Sequence, residues 1–127
     1  MPRGNTSNGE RRFPESVFGV GSEPDPRFTL ANERTFLAWI RTGLALTAGG
    51  VALEALALDI HPGWRLAASI LLLAAGTATP VLAWFGWRRA ERAMRLGRPL
   101  PSTPLTLVLS LVGAATAILV LVGVLTR

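Results

Sequence analysis

Cysteine, tyrosine and lysine are absent from these 127 residues, and histidine occurs once. Without cysteine there can be no disulfide framework, no thiolate nucleophile and no Cys-ligated zinc site. A single histidine excludes a His-rich metal centre, so neither a metal nor any other cofactor is expected. Acidic residues are scarce as well, 8 against 13 basic ones, and every basic residue is arginine, for a net charge of +5. Titratable groups converge nowhere along the chain as general acid–base or nucleophilic catalysis requires, and an enzyme is not expected. The length allows one domain.

What the chain does have is apolar residues in blocks. Half of it is hydrophobic and mean hydropathy is +0.39. The apolar residues fall into three runs, 36–58, 66–87 and 104–126, with arginines between them. Each run is about 22 residues, which as a helix is roughly 33 Å, enough to cross ~30 Å of hydrocarbon. The second and third runs carry no charge. A chain this short could not surround three apolar helices with polar structure in water. The expected fold class is therefore all-α: an integral membrane protein with three transmembrane helices, the lipid bilayer its first partner.

Arginine placement sets the expected orientation. Arg3, Arg11, Arg12, Arg27 and Arg34 precede the first span, and Arg88, Arg89, Arg92, Arg95 and Arg98 join the second to the third. The other connection has only Arg65 and Asp59, and the C-terminus only Arg127. The positive-inside rule then puts the N-terminus in the cytoplasm and the C-terminus outside. Trp39, Trp84 and Trp87 mark the inner interface and Trp64 the outer. Residues 1–26 hold no apolar run and are rich in proline and glycine, so no cleavable signal peptide is expected and the stretch reads as a disordered cytoplasmic tail. Its Phe13, Val17 and Phe18 are the residues that could dock on a partner. The three-helix domain would occupy 27–127.

Polar residues within the spans carry the most information, because they are costly there. Only the first span contains ionisable ones, Arg41 and Glu54. Asn32, Glu33 and Arg34 lie just ahead on the same expected helix, with Thr29 as its candidate N-cap. At about 100° per residue, Arg34 and Arg41 fall within roughly 20° of each other, and Ala45, Ala48 and Ala52 continue that stripe. A second stripe carries Asn32, Trp39, Gly43, Gly50 and Glu54. Two readings of the arginine stripe stand: it lines a water-accessible axis shared by several copies, or Arg41 snorkels and Arg34 holds an interfacial phospholipid. Glu54 either faces a lumen as a weak outer-mouth residue or pairs with Arg65. Gly43, Thr47, Gly49 and Gly50 permit close helix approach. Pro80, with Thr77 and Thr79, marks a kink in the second span, and His61 should be solvated. The segment 88–98 reads as a basic helical extension ended by Gly97 and Pro99, attractive to anionic lipid or a soluble polyanion. Nucleic acid is not expected, since no recognition module accompanies the charge.

The run Arg27-Phe28-Thr29-Leu30-Ala31-Asn32-Glu33-Arg34-Thr35-Phe36-Leu37-Ala38-Trp39 closely resembles the first-helix signature of the YidH-like bacterial inner-membrane family of unknown function. The same signature marks the membrane module of the vacuolar transporter chaperone complex, a polyphosphate polymerase. Trp87-Arg88 and the basic stretch after it resemble the end of that module's second helix. The resemblance covers about residues 26–126 and implies a multi-pass protein of the bacterial cytoplasmic (inner) membrane. It further implies a homo-oligomeric ring whose first helices line a polyphosphate channel. Carried over by motif, Arg27, Arg34 and Arg88 would be anion-binding residues at the cytoplasmic mouth. Glu33 would be a structural counter-charge to Arg34 or to a neighbouring subunit's Arg88, and Arg41 an additional charge deeper in. The chain departs from the complex in lacking polymerase and phosphate-sensing domains. It also carries Glu54 and Asp59 at the outer end, where they would repel a departing polyanion.

The expected function is a homo-oligomeric membrane channel or conduit for phosphate-like anions, with three to five copies around an arginine-lined mouth. The alternative is a non-conducting scaffold that anchors a larger complex. A small proton-coupled exporter fits poorly, because such exporters have four spans and a deeper membrane glutamate.

Overall fold

The computed structural model describes residues 13–127, which are helical throughout their regular structure, with no strand among them. Four helices follow in order: α1 (Glu15–Phe18), α2 (Pro26–Ala55), α3 (Pro62–Arg95) and α4 (Leu105–Leu125). The last three are each long and apolar enough to cross a membrane. At 1.5 Å per residue, the 21 residues of α4 make ~32 Å. The 30 residues of α2 and 34 of α3 make ~45 and ~51 Å, so they outrun ~30 Å of hydrocarbon by roughly three and four turns. Those overhangs lie side by side at one end of the molecule, one holding residues 26–35 and the other the arginines after Trp87.

Local chemistry sets the helix starts. The Asp25 carboxylate accepts the Arg27 backbone N–H at 2.9 Å, and Pro26, with no N–H to satisfy, takes the first helical position. Asp25, not Thr29, is therefore the N-cap of α2, because its carboxylate satisfies a free N–H of the first turn and Pro26 brings a φ already suited to the first helical position. The Arg27 side chain and then its backbone N–H hold the Asp25 carboxyl below its usual range. His61 does the same work for α3: its Nδ1 accepts the Gly63 N–H at 3.1 Å, with Pro62 following. The ring expected to be merely solvated is a cap. Gly97, at φ +64, ends the basic extension of α3.

Helix α3 lies in the middle. Both α2 and α4 pack on it, and among the described residues they do not pack on each other. The α2–α3 seam is built from small residues. A Cβ on Gly76 would run into the Thr47 hydroxyl and lie 2.9 Å from the Gly43 carbonyl oxygen, and one on Gly50 would lie 2.8 Å from Leu73 Cγ. Gly43 faces Pro80, with 3.1 Å between such a Cβ and the ring Cδ. Ser69 is buried in the seam and donates its hydroxyl to the Gly50 carbonyl oxygen at 2.7 Å. On the other side, the His61 N–H donates to the Gly123 carbonyl oxygen at 2.9 Å, and a Cβ on Gly123 would collide with Ile60.

The N-terminal segment departs from the expected disordered tail. Arg3, Arg11 and Arg12 lie outside the described residues, but residues 13–25 run along the arginine-rich end of α3. Val17 of α1 is fully buried, and the Phe18 ring sits 6.3 Å from that of Trp87. Arg95, only 7% exposed, donates to the carbonyl oxygens of Val20 at 2.9 Å and Phe18 at 3.0 Å. The Ser22 N–H donates in turn to the Arg95 carbonyl oxygen. Two apolar side chains and two arginines, Arg95 and Arg92, the latter donating to the Ser16 carbonyl oxygen at 3.4 Å, thus hold a segment whose composition alone suggests disorder.

Candidate functional site at the arginine-rich end

Three arginines on α2 define the candidate site. Arg27, Arg34 and Arg41 are spaced by seven, so successive guanidinium groups drift only about 20° round the helix. Asn32, Gly43 and Gly50, roughly half a turn away, form the face that meets α3. The two stripes read from the sequence are therefore the covered and uncovered sides of one helix. Arg34 and Arg41 are exposed, and no ion pair to either is present among the described residues. Arg27 is 88% exposed and pairs with Asp25 at 3.0 Å, so it doubles as part of the helix cap.

The other expected members are placed differently. Arg88 is half-buried on α3, its guanidinium 5.8 Å from the Trp84 ring centre, on the flank it shares with Thr77 and Val81. It is not on the α2 stripe, and a single copy does not bring it to Arg34. Glu33 is exposed and makes no ion pair with Arg34 or Arg88 within the chain. At the opposite end Glu54 meets Arg65 at 3.5 Å and Asp59 meets Arg127 at 3.0 Å. The pairing read for Glu54 is present, and the acidic groups expected to repel an anion there are each matched by an arginine.

Beneath the stripe lies a polar cluster that the sequence reading did not assemble. Glu91 is 1% exposed. Its Oε1 accepts from Asn32 Nδ2 at 3.3 Å, and the same amide donates to the Trp87 carbonyl oxygen at 3.1 Å. Its Oε2 is buried without a hydrogen-bond partner. Asn32 thus ties the start of α2 to the end of α3, which fixes the direction in which Arg34, two residues on, can point. The available signals were one acidic residue within the basic stretch and an asparagine on the glycine face of the first helix.

Chemically, an exposed row of guanidinium groups on a membrane helix offers fork-shaped donors to phosphate-like oxyanions. Comparison with known proteins gives a family. Residues 27–93 match a domain of unknown function, DUF202. The Inner membrane protein YidH of Escherichia coli (strain K12) is 44% identical over 103 residues, 80% of this chain and 90% of that protein. An uncharacterized protein of Mycobacterium tuberculosis (Rv2272) is 48% identical over 83 residues, 65% of this chain and 68% of that one. No solved structure matches. The family match begins at Arg27 and ends just past Glu91, so it takes in the arginine stripe, the seam and the Asn32–Glu91 tie. By that match and its three spans, the chain belongs to the YidH-like DUF202 family and is a multi-pass protein of the bacterial inner membrane.

Proposed function

We propose that the protein assembles as a closed ring of three to five copies, with α2 innermost, and conducts phosphate-like anions through the axis. The arginine-rich end is the cytoplasmic mouth. One observation carries the reading: Arg34 and Arg41 lie on the side of α2 turned away from α3, where none of the described residues supplies cover or counter-charge. Arg41 lies roughly five residues, ~8 Å, inside the first apolar run. A charge facing lipid at that depth is unfavourable, and a second, third and fourth copy of the same face around a wet axis removes the problem. Such an arginine-lined opening in low-dielectric surroundings concentrates anions. The resemblance of the first-helix motif to the membrane module of the vacuolar transporter chaperone complex supports polyphosphate as cargo, and the matched charges at the other end remove an objection to it.

Native mass spectrometry of protein released from lipid nanodiscs tests the assembly, and liposome flux of phosphate, polyphosphate and chloride tests conduction. A closed ring with anion flux is the expected result. Arg34→Glu should lower that flux by roughly tenfold or more, the lower end of what clefts lined by one sign of charge achieve. A monomer or dimer under mild conditions overturns the ring and favours a scaffold; flux unchanged in Arg34→Glu removes the role given to that residue.

A further inference from the structure

Because α2 and α4 do not meet, α3 floors an open groove between them at the arginine-rich end. It measures about 410 Å³, within the ~300–1,000 Å³ usual for ligand sites. Phe28, Phe36 and Trp39 of α2, Trp87 of α3 and Leu105 of α4 make its walls apolar. From Phe28 to Trp39 the groove runs eleven residues along α2, about 16 Å: Phe28 to Thr35 lie on the overhang, and Phe36 and Trp39 carry the groove into the hydrocarbon layer. Its polar groups gather toward the end where the helices leave the membrane: Asn32 and Thr35 on α2, Arg89 on α3, and Ser102 and Thr103 on the connection to α4. The groove lies about a third of a turn round α2 from Arg34 and Arg41, so it is separate from the stripe and does not depend on the channel reading.

We propose that this groove is a binding site for one anionic diacyl phospholipid, with a tail laid along α2 past Trp39 and the phosphate at Arg89, Ser102 and Thr103. Three features select that occupant. The walls are mostly hydrocarbon and aromatic, so a free phosphate would leave them uncovered. The segment beside the groove carries Arg88, Arg89, Arg92, Arg95 and Arg98 against the one buried Glu91, so a second copy would bring like charge to like charge. A lipid of the leaflet at that end offers a tail that can enter past Phe36 and Trp39 and a negative group at the height of Arg89.

Gly86 gives a clean test. It lines the groove, and a Cβ added there meets nothing within 4 Å, so Gly86→Leu starts its side chain in open space and extends it into the groove. The full-length chain is placed in nanodiscs holding equal phosphatidylglycerol and phosphatidylcholine with the same tails. It is then released for native mass spectrometry, with circular dichroism confirming helical content. Wild-type protein should retain phosphatidylglycerol over phosphatidylcholine by about fivefold, the preference that ~1 kcal/mol from one arginine near the surface confers. Gly86→Leu should lose the retained lipid at unchanged subunit count, and Arg89→Gln should keep a lipid but lose the headgroup preference. Equal retention of the two lipids by wild-type protein overturns the proposal, as does retention unaffected by both substitutions. So does displacement of the lipid by inorganic phosphate alone. A subunit count altered by Gly86→Leu with lipid retention intact shows a second copy in the groove and also overturns it.

Discussion

Asn32 makes two bonds at once, to the Trp87 carbonyl oxygen and to the Glu91 carboxylate, and both acceptors lie on α3. A buried carboxylate with one unpartnered oxygen depends heavily on its remaining donor. Asn32→Ala should therefore destabilise the protein by about 1–3 kcal/mol. Glu91→Gln should cost less, because it keeps an acceptor for the amide and removes the buried charge. The double variant Asn32→Ala with Glu91→Leu should lose less than the sum of the two single truncations. Thermal or denaturant unfolding in detergent reads all of these, and strict additivity would break the assigned coupling. At this scale the arginine stripe was legible in the sequence, since spacing by seven on a helix requires no partner to be seen. Glu91 was not, because its hydrogen bond comes from Asn32, fifty-nine residues away.

Between elements, the seam is defined by what cannot be added to it. Gly76 approaches the α2 backbone so closely that even a methyl group would lie 2.8 Å from the Thr47 nitrogen. Backbone, unlike a side-chain end, cannot rotate away. Gly76→Ala should force α2 and α3 apart and cost about 1–3 kcal/mol, as overpacking typically does. Gly113 on α4 has nothing within 4 Å of an added Cβ, so Gly113→Ala should be neutral or stabilise by up to ~1 kcal/mol through helix propensity. Unfolding measurements on this pair separate close packing from a general intolerance of glycine replacement. The α2 half of the seam was readable as a stripe of Asn32, Gly43 and Gly50. Its α3 half was not singled out, because alanine, serine and glycine are spread round that helix and only the observed rotation selects Ser69, Gly76 and Ala83 as the packed face.

The whole molecule is a row of helices with α3 at its centre, and a folded N-terminal segment closes one end. Arg95 holds that segment through two carbonyl oxygens and lies 5.4 Å from the Phe18 ring centre. Hydrogen bonds to a charged group contribute about 1.5–3 kcal/mol each. Arg95→Ala should accordingly raise chymotryptic cleavage after Phe18 by roughly tenfold or more, the effect of about 1.4 kcal/mol on an opening equilibrium. Cleavage unchanged in that variant would show that the apolar contacts of Val17 and Phe18, with the Arg92–Ser16 hydrogen bond, suffice.

The sequence by itself determined the number of spans, the clustering of arginine at one end and the division of the first helix into a glycine face and an arginine face. These follow from hydropathy, charge and the 3.6-residue period, which act within a segment. Only the tertiary structure decided that the glycine face is the covered one, that α2 and α4 stay apart to leave a groove, and that residues 13–25 fold against α3. Each of those depends on contacts between residues distant in the chain. In a chain this apolar, one exposed helix face resembles another until its neighbour is in place.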